Sequence, residues 1–277
     1  MDIRDIHVHV DNDDACNKRL ALAVQLSEKV NAHLTGGFVI KTFPLPTYDM
    51  FPATADIVDT YEKMLSQKAA SARNTFFKAV DENSPTISWI AVRGSFAFEL
   101  ANEARYSDLL IFGQPNPNDE ESLRNVLADE VIFNAGRPCL LVPHTYSHDD
   151  VGQSPLIAWD GSREATRAIH DALPLLKLAG KATLYIVDPD KTDTDLGDIP
   201  GAMMAEHLAR HDIDVTIEVS RGGSQSPGDA ILTYADTFNH DLLVMGAYGH
   251  SRWREIVLGG TTRNIIQNTK VPVFMSH

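Results

Sequence analysis

The hexapeptide Asp108-Leu-Leu-Ile-Phe-Gly113 returns in the second half of the chain as Asp241-Leu-Leu-Val-Met-Gly246. Downstream of each copy a further apolar run repeats: Arg137-Pro-Cys-Leu-Leu-Val142 has its counterpart in Lys270-Val-Pro-Val-Phe-Met275. Self-similarity at a period of roughly 140 residues means that one structural unit is built twice. It also limits what that unit can be. Each repeated run is short and almost wholly apolar, the pattern of a strand buried on both faces. Such strands belong to a parallel sheet with helices on either side.

The remaining segments fit that unit. In the first half, strands are expected at 6–10, 34–40, 87–92, 108–112 and 138–142, with helices at 15–30, 57–80, 96–105 and 123–134. In the second, strands are expected at 155–160, 182–187, 215–219, 242–245 and 271–275, with helices at 163–178, 199–211, 228–238 and 261–270. The segments 41–52, with three prolines, and 113–121 read as loops. Strands alternating with helices give an α/β fold: two tandem open parallel five-stranded sheets flanked by helices, Rossmann-like, in domains 1–145 and 153–277. The polar, aperiodic 144–154 segment links them. Each half leaves its final strand at an exposed edge. Pairing those two strands would hide both edges and make an internal pseudo-dimer.

In open parallel sheets, ligands bind beyond the carboxyl ends of the strands. The stretch 241–277 concentrates suitable chemistry there. Its first strand breaks at Gly246-Ala-Tyr-Gly249, and a second break at Gly259-Gly260 opens a helix at Thr261-Thr262. Glycine lets a backbone approach a phosphate closely, and the free N–H groups and dipole at a helix N-terminus favour negative charge. Phosphate binding is the function this stretch suggests.

The spacing Gly246-x2-Gly249-x9-Gly259, followed by small and hydroxyl residues, resembles the nucleotide-binding signature of universal stress proteins. The resemblance extends over nearly the whole chain and implies a tandem universal stress protein of the adenine nucleotide alpha hydrolase-like fold, its halves forming a pseudo-dimer. It implies an adenine nucleotide, ATP with or without Mg²⁺, in the second half. Asp160 would lie beside the nucleotide and Ile186 against the adenine. Gly246 and Gly249 would approach ribose and phosphate, while Gly259, Gly260, Thr261 and Thr262 would hold phosphates. One position departs from the pattern: the family's ATP binders carry Ser or Thr straight after the third glycine, and here Gly260 stands there. The alternative reading of the same residues is structural, with Asp160-Gly-Ser turning the chain and capping a helix and Gly259-Gly260 forming a turn.

The first half keeps Asp11 but replaces the glycine pair by Gly113-Gln-Pro-Asn and adds Asp119, Glu120 and Glu121. Two prolines remove backbone donors, and three carboxylates repel a phosphate, so this half is expected not to bind ATP. His7 and His9 share one face of a strand, yet no third ligand at matching spacing is visible, which favours packing over metal binding. Cys16 and Cys139 are too few for a disulfide framework and read as inert core residues. Tyr248 and Trp253 could stack on a base or pack, and Arg252 and Arg254 could meet phosphates or solvent.

A net charge of −14 repels nucleic acid and anionic lipid alike, and no strongly basic patch offsets it. The opening MDIRDIHVHV lacks a signal peptide's pattern, so a cytoplasmic protein is expected. No Walker A loop, dinucleotide fingerprint or nucleophile elbow occurs. Three functions remain open: a nucleotide-binding stress sensor or signalling module with at most slow ATP hydrolysis, an ATP-hydrolysing or adenylyl-transferring enzyme, and a structural or partner-binding module without nucleotide. A homodimer beyond the internal pseudo-dimer is also open.

Overall fold

The computed structural model describes residues 2–41, 55–115, 128–147, 150–191, 198–248 and 260–277. The loop read at 41–52, beyond Lys41, and most of that at 113–121 lie outside the described residues, as do Gly249, Arg252, Trp253, Arg254 and Gly259.

Apolar alternation explains how the two faces of the sheet are built. Along the fourth strand of the first half, Leu109 and Ile111 join one core while Leu110 and Phe112 join the other. Leu242 and Val244 against Leu243 and Met245 divide the corresponding strand of the second half in the same way. Every second residue must therefore be apolar on both sides, which is why these strands read as continuous hydrophobic runs.

The first half runs β1 (Asp5–His9), α1 (Cys16–Val30), β2 (His33–Lys41), α2 (Ala55–Ala79), β3 (Ile87–Gly94), α3 (Phe96–Ala104), β4 (Leu109–Gly113), α4 (Ala128–Ala135) and β5 (Cys139–Val142). The second runs β6 (Pro155–Ala158), α5 (Arg163–Ala179), β7 (Lys181–Val187), α6 (Ala202–Ala209), β8 (Asp214–Ser220), α7 (Pro227–Thr237), β9 (Leu242–Gly246), α8 (Gly260–Asn268) and β10 (Val273–Ser276). Within each half the strands are parallel. One core packs α1, α2, α5 and α6 on the first face, and the other packs α3, α4, α7 and α8 on the second.

The two sheets meet as the exposed-edge argument requires. β5 and β10 pair antiparallel, Leu140 opposite Phe274, and give one ten-stranded sheet in the order β3-β2-β1-β4-β5-β10-β9-β6-β7-β8. Both final strands thereby satisfy backbone groups that would otherwise template aggregation. The repeated aspartates have a matching job in each half. Asp108 accepts from the backbone N–H groups of Arg4 and Asp5, at 2.8 and 3.1 Å, and Asp241 from those of Gln153 and Ser154, at 2.7 and 2.8 Å. Each carboxylate ties down the chain as it enters the neighbouring strand.

Most elements lie within a residue or two of their expected bounds. The helix expected at 199–211 starts three residues later, at Ala202. Gly201 holds a φ of +82°, and a Cβ there would lie 2.8 Å from the Ile186 side chain. Only glycine both adopts that φ cheaply and leaves Ile186 its space.

Candidate functional site

The carboxyl ends of β6 and β9 are neighbours, with Ile157 paired to Val244, so Asp160 and Gly246 emerge side by side. Asp160 Oδ1 accepts the Ser162 N–H at 2.9 Å, and Ser162 Oγ accepts the Ala165 N–H at 3.1 Å as N-cap of α5. The structure thus gives Asp160-Gly-Ser the turn-and-cap roles its composition allows.

Gly246 sits where sequence placed it but for a more local reason. A Cβ on it would fall 2.4 Å from Ala165 N and 2.5 Å from Glu164 C. Strand β9 approaches the first turn of α5 so closely that only glycine fits, whatever else binds there. Ile186 is fully buried in β7, its side chain against Gly201. Tyr248, at a φ of +62°, directs its N–H to Thr262 Oγ1 at 3.4 Å, so one of the two threonine hydroxyls is engaged by the glycine-rich turn itself. Gly260 opens α8 exposed, with nothing within 4 Å of where a Cβ would stand, and the first turn carries no acidic residue. Thr261 is half-buried and Thr262 buried beside it. The edge therefore gathers two helix N-termini: that of α5, capped by Ser162, and that of α8, free of carboxylates.

Sequence comparison bears on this half directly. Residues 155–277 match the universal stress protein family. That match is confined to the second half of the chain. The chain is also 27% identical over 233 residues to universal stress protein Slr1230 of Synechocystis sp., a match covering 81% of this chain and 77% of that protein. A universal stress protein from Archaeoglobus fulgidus shares the fold over 98% of this chain and 95% of its own, with a TM-score of 0.71 at 20% identity. A functionally unknown Pseudomonas aeruginosa protein aligns over 99% of this chain and 92% of its own, with a TM-score of 0.54 at 15% identity.

The corresponding edge of the first half is built differently. Asp11 makes the same turn as Asp160, accepting the Asp13 N–H at 3.1 Å. Counting eight residues on from each aspartate gives Arg19 in α1 and Ala168 in α5. Arg19 is 2% exposed, donates from Nε to the His9 carbonyl at 2.9 Å, and places Nη2 2.8 Å from Asp11 Oδ2. Its Nη1 lies where a Cβ on Gly113 would fall, 2.2 Å from it. Burial alone would raise the Asp11 carboxyl, but Arg19 and the other contacts outweigh it and hold the group below its usual range.

His7 and His9 are buried and neutral. Burial lowers His7 to about 4 and His9 to about 3. The His9 ring packs edge-on to Phe96, with centroids 4.9 Å apart. Among the described residues no three His, Cys, Asp or Glu side chains form a metal-binding group. Both cysteines are buried and reduced, and desolvation pushes the Cys139 thiol up to about 12, far from a reactive thiolate.

Three residues with long-range roles were not singled out for them in the sequence. Arg19 is visible only by aligning the two halves at their aspartates. Gln114, which stands where the second half has Ala247, is buried and donates from Nε2 to the Ile266 carbonyl of α8 at 2.9 Å. In the other direction Tyr248 donates its hydroxyl to Asp129 of α4 at 3.0 Å. Each half thus sends one side chain from the turn after its fourth strand to the last helix of the other.

Proposed function

We propose that the second half binds an adenine nucleotide, ATP with Mg²⁺, at the edge formed by Asp160, Gly246 and the start of α8, and that the protein acts as a nucleotide-dependent sensor or signalling module. The observation that carries this reading is the N-terminus of α8. It opens on an exposed glycine with no carboxylate in its first turn, beside the paired ends of β6 and β9 and inside a universal stress protein domain. We also propose that the first half, 1–145, is a diverged copy of that domain that does not bind nucleotide, because Arg19 already neutralises its aspartate. The engagement of Thr262 by Tyr248, together with Gly260, favours a second reading in which neither half binds nucleotide and the tandem serves as a structural or partner-binding module.

Calorimetric titration with Mg²⁺–ATP, checked by native mass spectrometry, separates these readings. One nucleotide per chain is expected. Two would overturn the silent first half, and none at millimolar ATP would favour the second reading. Thr261→Glu sharpens the test. A carboxylate in the first turn stabilises a helix by roughly 0.3–1 kcal/mol, yet it repels a phosphate at the same place. Binding should weaken at least ~tenfold while thermal stability holds or rises.

A further inference from the structure

The pseudo-twofold axis creates a weakness on one face of the sheet. β5 and β10 lie at the centre of ten strands. On the face carrying α1 and α5, those helices flank the seam, and the cover over Leu140 comes partly from the connection between β5 and β6, whose Tyr146 and Val151 join the core. A helix fills such a seam continuously, whereas an irregular connection of a few residues leaves gaps.

A gap is present. A cavity of about 230 Å³ lies between the C-terminal turns of α1 and α5, lined by Leu26, Leu140, Leu175 and Leu242 and roofed by Val151 and Gly152. Lys29 and Gln153 stand among its lining residues, and Lys29 is ion-paired with Asp150. The pocket opens on the amino-terminal side of the strands, the opposite edge from Asp160 and Gly246. It is therefore independent of the proposed nucleotide site.

From this cavity we propose a second binding site, for a small uncharged molecule with an aromatic or alicyclic body. The size fits: an engineered apolar cavity of about 150 Å³ holds benzene, so this one accommodates a bicyclic ring. The lining disfavours ions, because a bare charge among five leucines would lose its hydration without a partner. The Lys29 ammonium is already matched by Asp150, which leaves no uncompensated cation to select a carboxylate. A single polar atom at the ligand's edge can reach the Gln153 amide at the mouth. Residues of both halves and of their connection line the site, so an occupant would bridge the halves at their seam and favour the folded tandem by mass action.

Indole is a suitable probe, with the full-length protein and selectively labelled leucine methyl groups. Titration should shift the methyl resonances of Leu26, Leu175 and Leu242 together and raise the melting temperature in proportion to the logarithm of free indole. Leu178→Trp, at a half-exposed wall of the pocket, fills the cavity from its mouth without touching the deeper leucines. It should weaken indole at least ~tenfold and leave Mg²⁺–ATP binding as in the parent. Leu175→Ala enlarges the space and should shift preference from indole towards a larger tricyclic ring. Methyl shifts elsewhere, or indole binding unchanged in Leu178→Trp, would overturn the proposal. So would the absence of any shift at saturating indole. The nucleotide reading survives or fails separately on the ATP titration.

Discussion

The two strand-end edges share a fold and a turn-forming aspartate, and they differ by what the following helix sends back towards it. In the second half the matching position of α5 is Ala168, buried in the core, and the first turn of that helix closes directly on Gly246. In the first half α1 presents Arg19, whose guanidinium joins the His9 carbonyl, the Asp11 carboxylate and the space over Gly113. The first edge draws a buried counter-charge from its own helix. Arginine at that buried helical position meets the strand-end aspartate from within the half, with no change of topology.

The largest effect that tests this contrast is expected from Arg19→Ala. Removing one partner of a fully buried pair costs about 3–5 kcal/mol, and because the Asp11 side chain is 29% exposed the loss here should fall at or below the lower end of that range. Asp11 and the His9 carbonyl would both lose their partner. Urea denaturation should show that loss, and a drop below about 1 kcal/mol would mean that the pair lacks the importance given it here.

Acid should distinguish the halves next. His7 and His9 align with Leu156 and Ala158 when the two aspartates are matched, so only the first half carries buried imidazoles at these positions. Their folded values lie below 6.5, so the unfolded chain binds more protons between the two values. Stability is then fully present above pH 6.5 and falls as the pH drops towards about 4 for His7. The displacement from 6.5 to about 4 corresponds to a loss on the order of 3 kcal/mol. His7→Leu, which installs the second half's residue, should remove the His7 share of this loss between pH 6.5 and 4 and leave the His9 share. A parallel loss in variant and parent would place the acid sensitivity elsewhere.

How much of this the sequence disclosed follows the range of each interaction. The duplicated apolar runs determine strands, order and class, because a period of two with both faces buried has few solutions. The edge pairing of β5 with β10 was foreseeable, since two similarly built halves with open final strands have one economical way to close them. Gly246 was legible as a close approach, but glycine does not say what comes close. The answer here is the backbone of Glu164 and Ala165. The cross-half ties were not legible, because Gln114 and Ile266 are 152 residues apart and Tyr248 and Asp129 are 119 apart. Neither pair has a local signature, and a lone Gln or Tyr in a turn has many other uses.

Those two ties give the smallest expected effects, and they sharpen the comparison because each crosses between the halves in the opposite direction. Gln114 is buried, and its amide also contacts His144 Nδ1 at 3.0 Å. Gln114→Ala strands buried carbonyls at the end of α8 and should cost about 1–3 kcal/mol. Tyr248→Phe keeps the ring, which packs edge-on to Phe133 at 6.2 Å, and removes only the half-buried hydroxyl that reaches Asp129, at about 1 kcal/mol. If the halves are one cooperative unit, each substitution lowers amide protection in both sheets equally. If they open separately, Tyr248→Phe should loosen α4 and the end of β9 while leaving β1 to β3 protected. Hydrogen exchange resolved by residue reads that difference. A uniform response to Tyr248→Phe would show that the β5–β10 seam, and not the side chains reaching across it, makes the two halves fold as one.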